Sequence, residues 1–437
     1  MWPDRTSQLR PARVFPPAIL PMPKLRLRSA APALLVMAAL LSLSACGLTE
    51  YPNSTFNHTT DFNTSIDALF QKLVFWGTIV FVVVEAGLIY TIIKFRKRPG
   101  GPAAKQIHGN AILEITWTAI PALILVLIAV PSVKTIFETQ KPAPAGALHV
   151  KVIGHQWWWE FQYPEYGITT ANEVYVPVGR AVNFELTTKD VLHSFWIPQL
   201  GGKRDLITNK TNYLWFTPSD TLPSTAWNGF CTEYCGASHA NMRIRMYTVQ
   251  PDEFESWARH QAGPAVFNPT PAPATPVATV ANVQGDTAAA APAPASGYVF
   301  PAEKLPAHVI PQTPIPAGIT YDDALLAGGD PVRGATQGFM LGGCIGCHAI
   351  NGLPGAVSNI GPNLTHVASR HTIAGGLYRN DGPTLARWIK NARHLKPGSI
   401  MNTIGKGEYD PIMKTTVTAG LDDRQIADVV AYLMSLK

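Results

Sequence analysis

The chain has 437 residues, more than one ordinary domain needs. Charged side chains make up only 15 % and apolar ones 46 %, a balance that leans towards a membrane-associated protein. The net charge of +6 is diffuse and its Lys/Arg clusters lie beside apolar segments, which argues against a nucleic-acid partner.

The first element is a leader. Lys24, Arg26 and Arg28 precede an apolar run over 30–43, and Leu43-Ser44-Ala45-Cys46 follows. Basic region, apolar core and small residues make a secretory signal over 1–45. A Cys after Leu-Ser-Ala resembles the bacterial lipobox, which makes Cys46 the expected lipidation site at the head of an exported segment, 46–68. Ordinary signal cleavage and an uncleaved anchor are the plainer alternatives. The tract before Met22 is rich in Pro and Arg, so Met22 is a second candidate start.

Two apolar runs follow, 69–93 and 113–137. Each is roughly 25 residues, enough to cross an apolar layer of about 30 Å. Lys94, Arg96, Lys97, Arg98 and Lys105 lie between them and should stay cytoplasmic, which puts both outer ends of a 69–137 hairpin outside the cell. Glu85 and Glu114 are acidic residues in or beside these runs. A carboxylate at membrane depth is a functional candidate, although Glu114 also suits the positive end of a helix dipole.

From 147 to 262 short β-branched and aromatic runs (148–153, 173–176, 181–187, 212–216) alternate with turn signals, as in an all-β sandwich or barrel. A short helix is expected at 251–261. The stretch 264–296 is dominated by Ala, Pro, Thr and Val and cannot bury a core. It and the Pro-rich residues after it make an extended linker over 263–320. From 321 to 437 the pattern turns helical, with Ile426, Val429, Val430 and Leu433 on one face of a last helix.

The five cysteines fall at 46, 231, 235, 344 and 347, an odd count that makes a poor disulfide framework. Cys231-Thr232-Glu233-Tyr234-Cys235-Gly236-Ala237-Ser238-His239-Ala240-Asn241-Met242 places two thiols, an imidazole and a thioether at ligand spacing. The upstream His193 can close the set. Soft thiolate, thioether and imidazole donors suit copper, and two thiolates with two imidazoles suggest two coppers bridged by sulfur. A disulfide or a Cys2His2 zinc site also uses these residue types.

Together with the upstream Asp190-Val191-Leu192-His193-Ser194, this motif resembles subunit II of the haem–copper cytochrome c oxidases. The resemblance spans about 69–257. It implies a cupredoxin-like β-barrel holding a binuclear copper A centre. Cys231 and Cys235 match the bridging thiolates, His193 and His239 the imidazole ligands, Met242 the weak thioether, and Glu233 the carbonyl ligand. The Glu233 carboxylate matches a magnesium ligand shared with subunit I. Trp157, in His155-Gln156-Trp157-Trp158-Trp159, falls where the family has its electron-entry tryptophan, although three consecutive Trp in a β domain also suit packing. Glu114, in Glu114-Ile115-Thr116-Trp117, matches the entrance of a proton path into subunit I. The stretch 206–210 lacks the family's Pro-Gly turn and Phe230 replaces a commonly polar residue, but no metal ligand is lost.

Cys344-Ile345-Gly346-Cys347-His348 is the c-type haem attachment pattern, with two thiols for thioether bonds and His348 as proximal ligand. Met401, in Lys396-Pro397-Gly398-Ser399-Ile400-Met401, resembles the axial methionine of small bacterial cytochromes c. Met413 and Met434 are the alternatives. Gly361-Pro362-Asn363-Leu364 resembles the segment packed against the haem in the same family. A haem c domain fused to subunit II resembles the caa-type branch. The expected whole is a multidomain membrane protein: a two-helix transmembrane hairpin, a cupredoxin-like β-barrel and an all-α cytochrome c domain. It should sit in a bacterial inner membrane with both cofactor domains outside. Its expected partners are oxidase subunit I, the other oxidase subunits, membrane lipid, and a soluble or membrane cytochrome c or reductase complex as donor. Quinol-oxidase subunits lack the copper ligands. A nitric oxide reductase subunit and a free-standing electron carrier are the remaining rivals.

Overall fold

The computed structural model describes residues 51–97, 99–101, 106, 108–265 and 298–437. The leader 1–45, Cys46, Arg98, Lys105 and the stretch 266–297 lie outside the described residues.

The two apolar runs form helices Asp61–Lys94 and Ala111–Gln140, of 34 and 30 residues. Their most apolar windows have mean hydropathies of 2.1 and 2.2, and no part of either window is buried in protein. Phe81, Val83, Ile93, Leu125 and Phe137 point outwards uncovered, as the outer face of a membrane-spanning hairpin does. Both helices are longer than the expected 69–93 and 113–137, and their outer ends are tied to the β domain. Thr60 caps the first helix by accepting from Asn63 N, and its hydroxyl donates to Leu200 O at 2.7 Å. Asp61 accepts from Thr217 N at 2.8 Å, and Trp215 Nε1 donates to Lys141 O at 2.7 Å, just past the second helix.

Ten strands follow: β1 Leu148–His155, β2 Trp158–Tyr163, β3 Ile168–Ala171, β4 Glu173–Pro177, β5 Val182–Thr188, β6 His193–Trp196, β7 Arg204–Leu206, β8 Asn212–Phe216, β9 Thr225–Cys231 and β10 Arg243–Val249. They form two five-stranded sheets, β3-β2-β1-β5-β8 and β4-β10-β9-β6-β7. Val150, Val152, Phe161, Phe184, Phe195 and Met246 are fully buried among them. The helix Pro251–Ala262 closes the domain where the sequence places it, with Phe254 and Trp257 turned inwards.

The segment after residue 297 corrects the linker expectation. Residues 298–320 are not a free tether, because Phe300 and Val309 lie in the β-domain core. Arg245 Nε donates to Val309 O and Asn228 Nδ2 to His308 O. Two apolar anchors offset the ordering of this strap, and its prolines reduce the entropy lost on fixing it.

The last domain packs the turn Pro331–Arg333 and the π-helical stretch Gly334–Met340 across the C-terminal helix Asp423–Leu433, with helix Gly382–Lys390 alongside. Ile426, Val429, Val430 and Leu433 are buried on one face, as their spacing requires. The domain also carries two short antiparallel ladders, Thr372–Ile373 with Tyr378–Arg379 and Tyr409–Asp410 with Thr415–Thr416. It is thus the expected helical domain, with minor β pairing.

Candidate functional site

His193 opens β6 and Cys231 closes β9, and the pairing of Phe195 with Cys231 sets those strand ends side by side. The loop 232–242 then returns towards β10 and brings back Cys235, His239 and Met242. The Cys231 and Cys235 sulfurs are 3.7 Å apart and both are free, so the disulfide alternative is not realised. His193 Nδ1 lies 3.8 Å from Cys231 Sγ, and His239 Nδ1 lies 3.6 Å from Cys235 Sγ. Met242 Sδ is 3.9 Å from Cys235 Sγ, and Glu233 O is 3.3 Å from Cys231 Sγ. All six groups named from the sequence therefore converge, with one imidazole to each sulfur.

Asp190 Oδ1 is 2.8 Å from His193 Nε2. A carboxylate only accepts, so Nε2 carries the proton and Nδ1 turns its lone pair to the sulfurs. The hydrogen bond from the Cys235 thiol pulls Cys231 well below the usual thiol range. That neighbouring thiolate pushes Cys235 up. One sulfur is thus ready for a metal, and metal binding would displace the proton of the other. The donor set of two thiolates, two imidazoles, a thioether and a carbonyl fits copper better than a closed tetrahedral zinc site.

In the C-terminal domain Cys344, Cys347, His348 and Met401 line a cavity of about 390 Å³. Phe339, Leu364, Leu385, Ile389, Val429 and Leu433 supply apolar wall. His348 Nδ1 donates to Pro362 O at 2.8 Å, which leaves Nε2 as the free nitrogen. Burial pulls His348 down from the ordinary imidazole range, so the ring is neutral and able to bind metal. The Gly361–Leu364 segment thus orients the His348 ring. Met413 is 67 % exposed and lies outside this cavity, and Met434 packs against the core away from it. A flat apolar cofactor held by two thioethers, one imidazole and one thioether sulfur fits this wall.

Trp157 and Gln156, in the β1–β2 turn, line the same cavity from the β-domain side. Trp157 Nε1 donates to Cys235 O at 2.9 Å, and Gln156 Nε2 to the same carbonyl at 2.8 Å. Trp159, by contrast, is fully buried in the β core, and Trp158 stacks on His155 with ring centroids 4.1 Å apart. Glu114 is not brought to either centre. It sits in the first turn of its helix, where its carboxylate accepts from Asn110 N at 3.2 Å.

Sequence reasoning missed four residues that order these sites. Asp190 orients His193 and also accepts from Gln156 N at 2.7 Å. Gln156 holds the Cys235 carbonyl. Glu173 Oε1 accepts from His371 N, Thr372 N and the Thr372 hydroxyl at 2.9, 2.8 and 2.8 Å, joining the two cofactor domains. Lys396 donates to Trp157 O at 2.6 Å and to Ala374 O at 2.8 Å. Burial pulls Lys396 down to about 7, with the neighbouring Cys235 opposing that shift. Asp190 and Lys396 stand inside the quoted motifs, but spacing does not say what they reach.

Three family models match in chain order: Cytochrome C oxidase subunit II, transmembrane domain, over 56–135; Cytochrome C oxidase subunit II, periplasmic domain, over 167–249; and Cytochrome c over 333–437. A "Cytochrome c oxidase subunit 2" of Alkalihalophilus pseudofirmus is 32 % identical over 365 residues, covering 82 % of this chain and 83 % of that protein. A protein of the same name from Bacillus sp. strain PS3 is 31 % identical and covers 78 % of this chain and 80 % of its own length. Among solved structures, the periplasmic domain of subunit II of cytochrome oxidase from Bradyrhizobium japonicum is 31 % identical, covers 28 % of this chain and 96 % of that one, and has a TM-score of 0.26. Likeness that runs through membrane hairpin, copper domain and haem domain together means that the chain belongs to the cytochrome c oxidase subunit II family of haem–copper oxidoreductases, in the form with a C-terminal cytochrome c domain.

Proposed function

We propose that this chain is the electron-entry subunit of an aerobic respiratory terminal oxidase in a bacterial inner membrane, with both cofactor domains on the periplasmic side. It takes electrons from a soluble or membrane cytochrome c or a reductase complex. It hands them from haem c to copper A and on to subunit I, where oxygen reduction is coupled to proton pumping. When bound, the haem and the copper pair each supply a one-electron couple.

The chain's own residues place and tune those couples. Cys344 and Cys347 would hold the haem through thioether bonds, and His348 and Met401 would supply its iron ligands. Arg370, which lines the cavity, is the cation available to the haem carboxylates. Cys231, Cys235, His193 and His239 would hold the copper pair, with Met242 and the Glu233 carbonyl as its weaker donors. The Glu233 carboxylate is assigned to magnesium at the contact with subunit I, Glu114 to the entrance of a proton path, and Cys46 to a lipid anchor. Trp157 is the connection between the centres.

The observation that carries this reading is the shared position of Trp157, which lines the haem cavity and donates to the backbone of a copper ligand. Metal analysis and electron paramagnetic resonance of the purified complex test it. Two coppers per chain with a mixed-valence signal, together with haem that survives acid–acetone extraction, are expected. One copper, zinc at full occupancy or extractable haem overturns it. Mass spectrometry of the native N-terminus should show residues 1–45 removed and Cys46 acylated.

A further inference from the structure

The benzo edge of the Trp157 indole is approached closely by two glycines, one from each ligand loop. A Cβ built on Gly236, next to Cys235, would lie 3.0 Å from Trp157 Cζ2. One built on Gly398, three residues before Met401, would lie 2.7 Å from Cη2 and 2.9 Å from Cζ3. Both glycines also have positive φ, +112° and +82°, where side chains are strained. Both loops therefore approach the indole at a distance that only glycine allows.

The same segment is fastened by polar groups. Lys396 is 3 % exposed, and its ammonium bridges one carbonyl from each domain, Trp157 O and Ala374 O. Ser238, beside His239, donates to Pro397 O at 2.5 Å. Arg243 N donates to Gly375 O at 3.0 Å and Arg245 Nη2 to Gly376 O at 3.2 Å, which extends the seam. The loop 396–401 of the haem domain and the loop 235–242 of the copper domain are thus held to one another around a single side chain.

We infer that Lys396 and Gly398 are positioning residues that lock the haem domain's axial-ligand loop onto Trp157, so that Trp157 serves the chain's own haem and is closed to an outside donor. The inference rests on the assignment of the two cofactor sites above. An electron leaving the cavity meets the indole, then its N–H bond to Cys235 O, with no solvent gap to cross. Outside donors are left to deliver at the rim of the haem cavity, where Cys347 and Ile360 are exposed.

The test uses the full chain in its purified, cofactor-loaded oxidase, with Lys396→Met and Gly398→Ala. The wild type must first show haem c absorbance with a methionine-to-iron band and the mixed-valence copper signal; their absence would fail the site assignment and not this inference. In the variants both signatures should persist. Hydrogen exchange should quicken in peptides covering 154–159 and 374–378, and haem-to-copper equilibration after photoreduction should slow at least tenfold. Two unchanged readouts overturn the inference, as does faster exchange with an unchanged rate. If Gly398→Ala alone loses the methionine band, Lys396→Met decides. Loss of the band in both overturns the inference, because the two residues would then serve the haem site itself.

Discussion

In the copper domain each candidate ligand atom already lies 3.3 to 3.9 Å from one of the two cysteine sulfurs, and His193, Cys231, Cys235 and Met242 are buried. In the cytochrome domain the four ligands are spread around a hollow of about 390 Å³. The difference lies in where each domain keeps its core. The β sandwich packs Phe161, Phe184 and Phe195 between its sheets, and its metal site occupies one end. The cytochrome domain turns Phe339, Leu385, Ile389, Val429 and Leu433 towards the hollow, so the cofactor is itself the centre of the core. A metal is added to the first domain, whereas the second is completed by its haem.

Removing the haem is the hardest test of that contrast. At ~24 cal/mol per Å³, an empty cavity of this size costs at most about 9 kcal/mol. That is an upper bound because the rim is open to solvent. It still rivals the whole ~5–15 kcal/mol that stabilises a domain. Cys344→Ala with Cys347→Ala should therefore leave 321–437 sensitive to protease and without near-ultraviolet dichroism, while copper remains bound. A resistant, dichroic haem-free domain would break the comparison.

The strap offers a smaller effect in the opposite region. Phe300 is 1 % exposed and follows the last strand of the copper domain by some fifty positions. Phe300→Ala should cost the β domain about 3–5 kcal/mol, read as a lowered denaturant midpoint of the copper signal with haem absorbance unmoved. An unchanged midpoint would return residues 298–320 to the status of a tether.

The candidate ligands were legible in the sequence as clusters because each motif concentrates its chemistry within a dozen residues. The strands over 148–153, 173–176, 181–187 and 212–216 were equally legible from alternation and turn signals, and they recur as β1, β4, β5 and β8. The strap was not. Phe300 and Val309 stand alone among prolines with no helical or strand period, so nothing local marks them as core. The seam between domains was also hidden. Lys396 and Trp157 are separated by 239 positions, and Glu173 and Thr372 by 199. Such pairings are fixed by tertiary packing, and no spacing rule encodes them.

Removing the copper should matter less to stability than removing the haem. Cys231→Ser or Cys235→Ser takes away one of the two sulfurs proposed to bridge the coppers, and the mixed-valence signal should vanish. The β core is untouched, so the melting temperature should fall by a few degrees only, and haem c absorbance should persist. Collapse of the β domain on copper loss would show that its metal, too, is a structural centre.

The two thioethers give the finest comparison. Met242 is 1 % exposed and packed against Cys235, whereas Met401 is only partly buried in the cavity wall. Met401→Ala leaves Cys344, Cys347 and His348 in place, so the haem should stay covalently attached. A thioether ligand favours ferrous iron, so its loss should lower the haem potential and abolish the methionine-to-iron band. The haem then becomes the stronger reductant, and the electron equilibrium between the centres shifts towards copper, whose resonance signal should not change. Spectroelectrochemical titration of the full chain reads both quantities. An unchanged potential with an intact band would exclude Met401. It would require Met413, 67 % exposed and outside the cavity, to swing inwards past Asp410, whose carboxylate accepts from its backbone N–H at 2.9 Å.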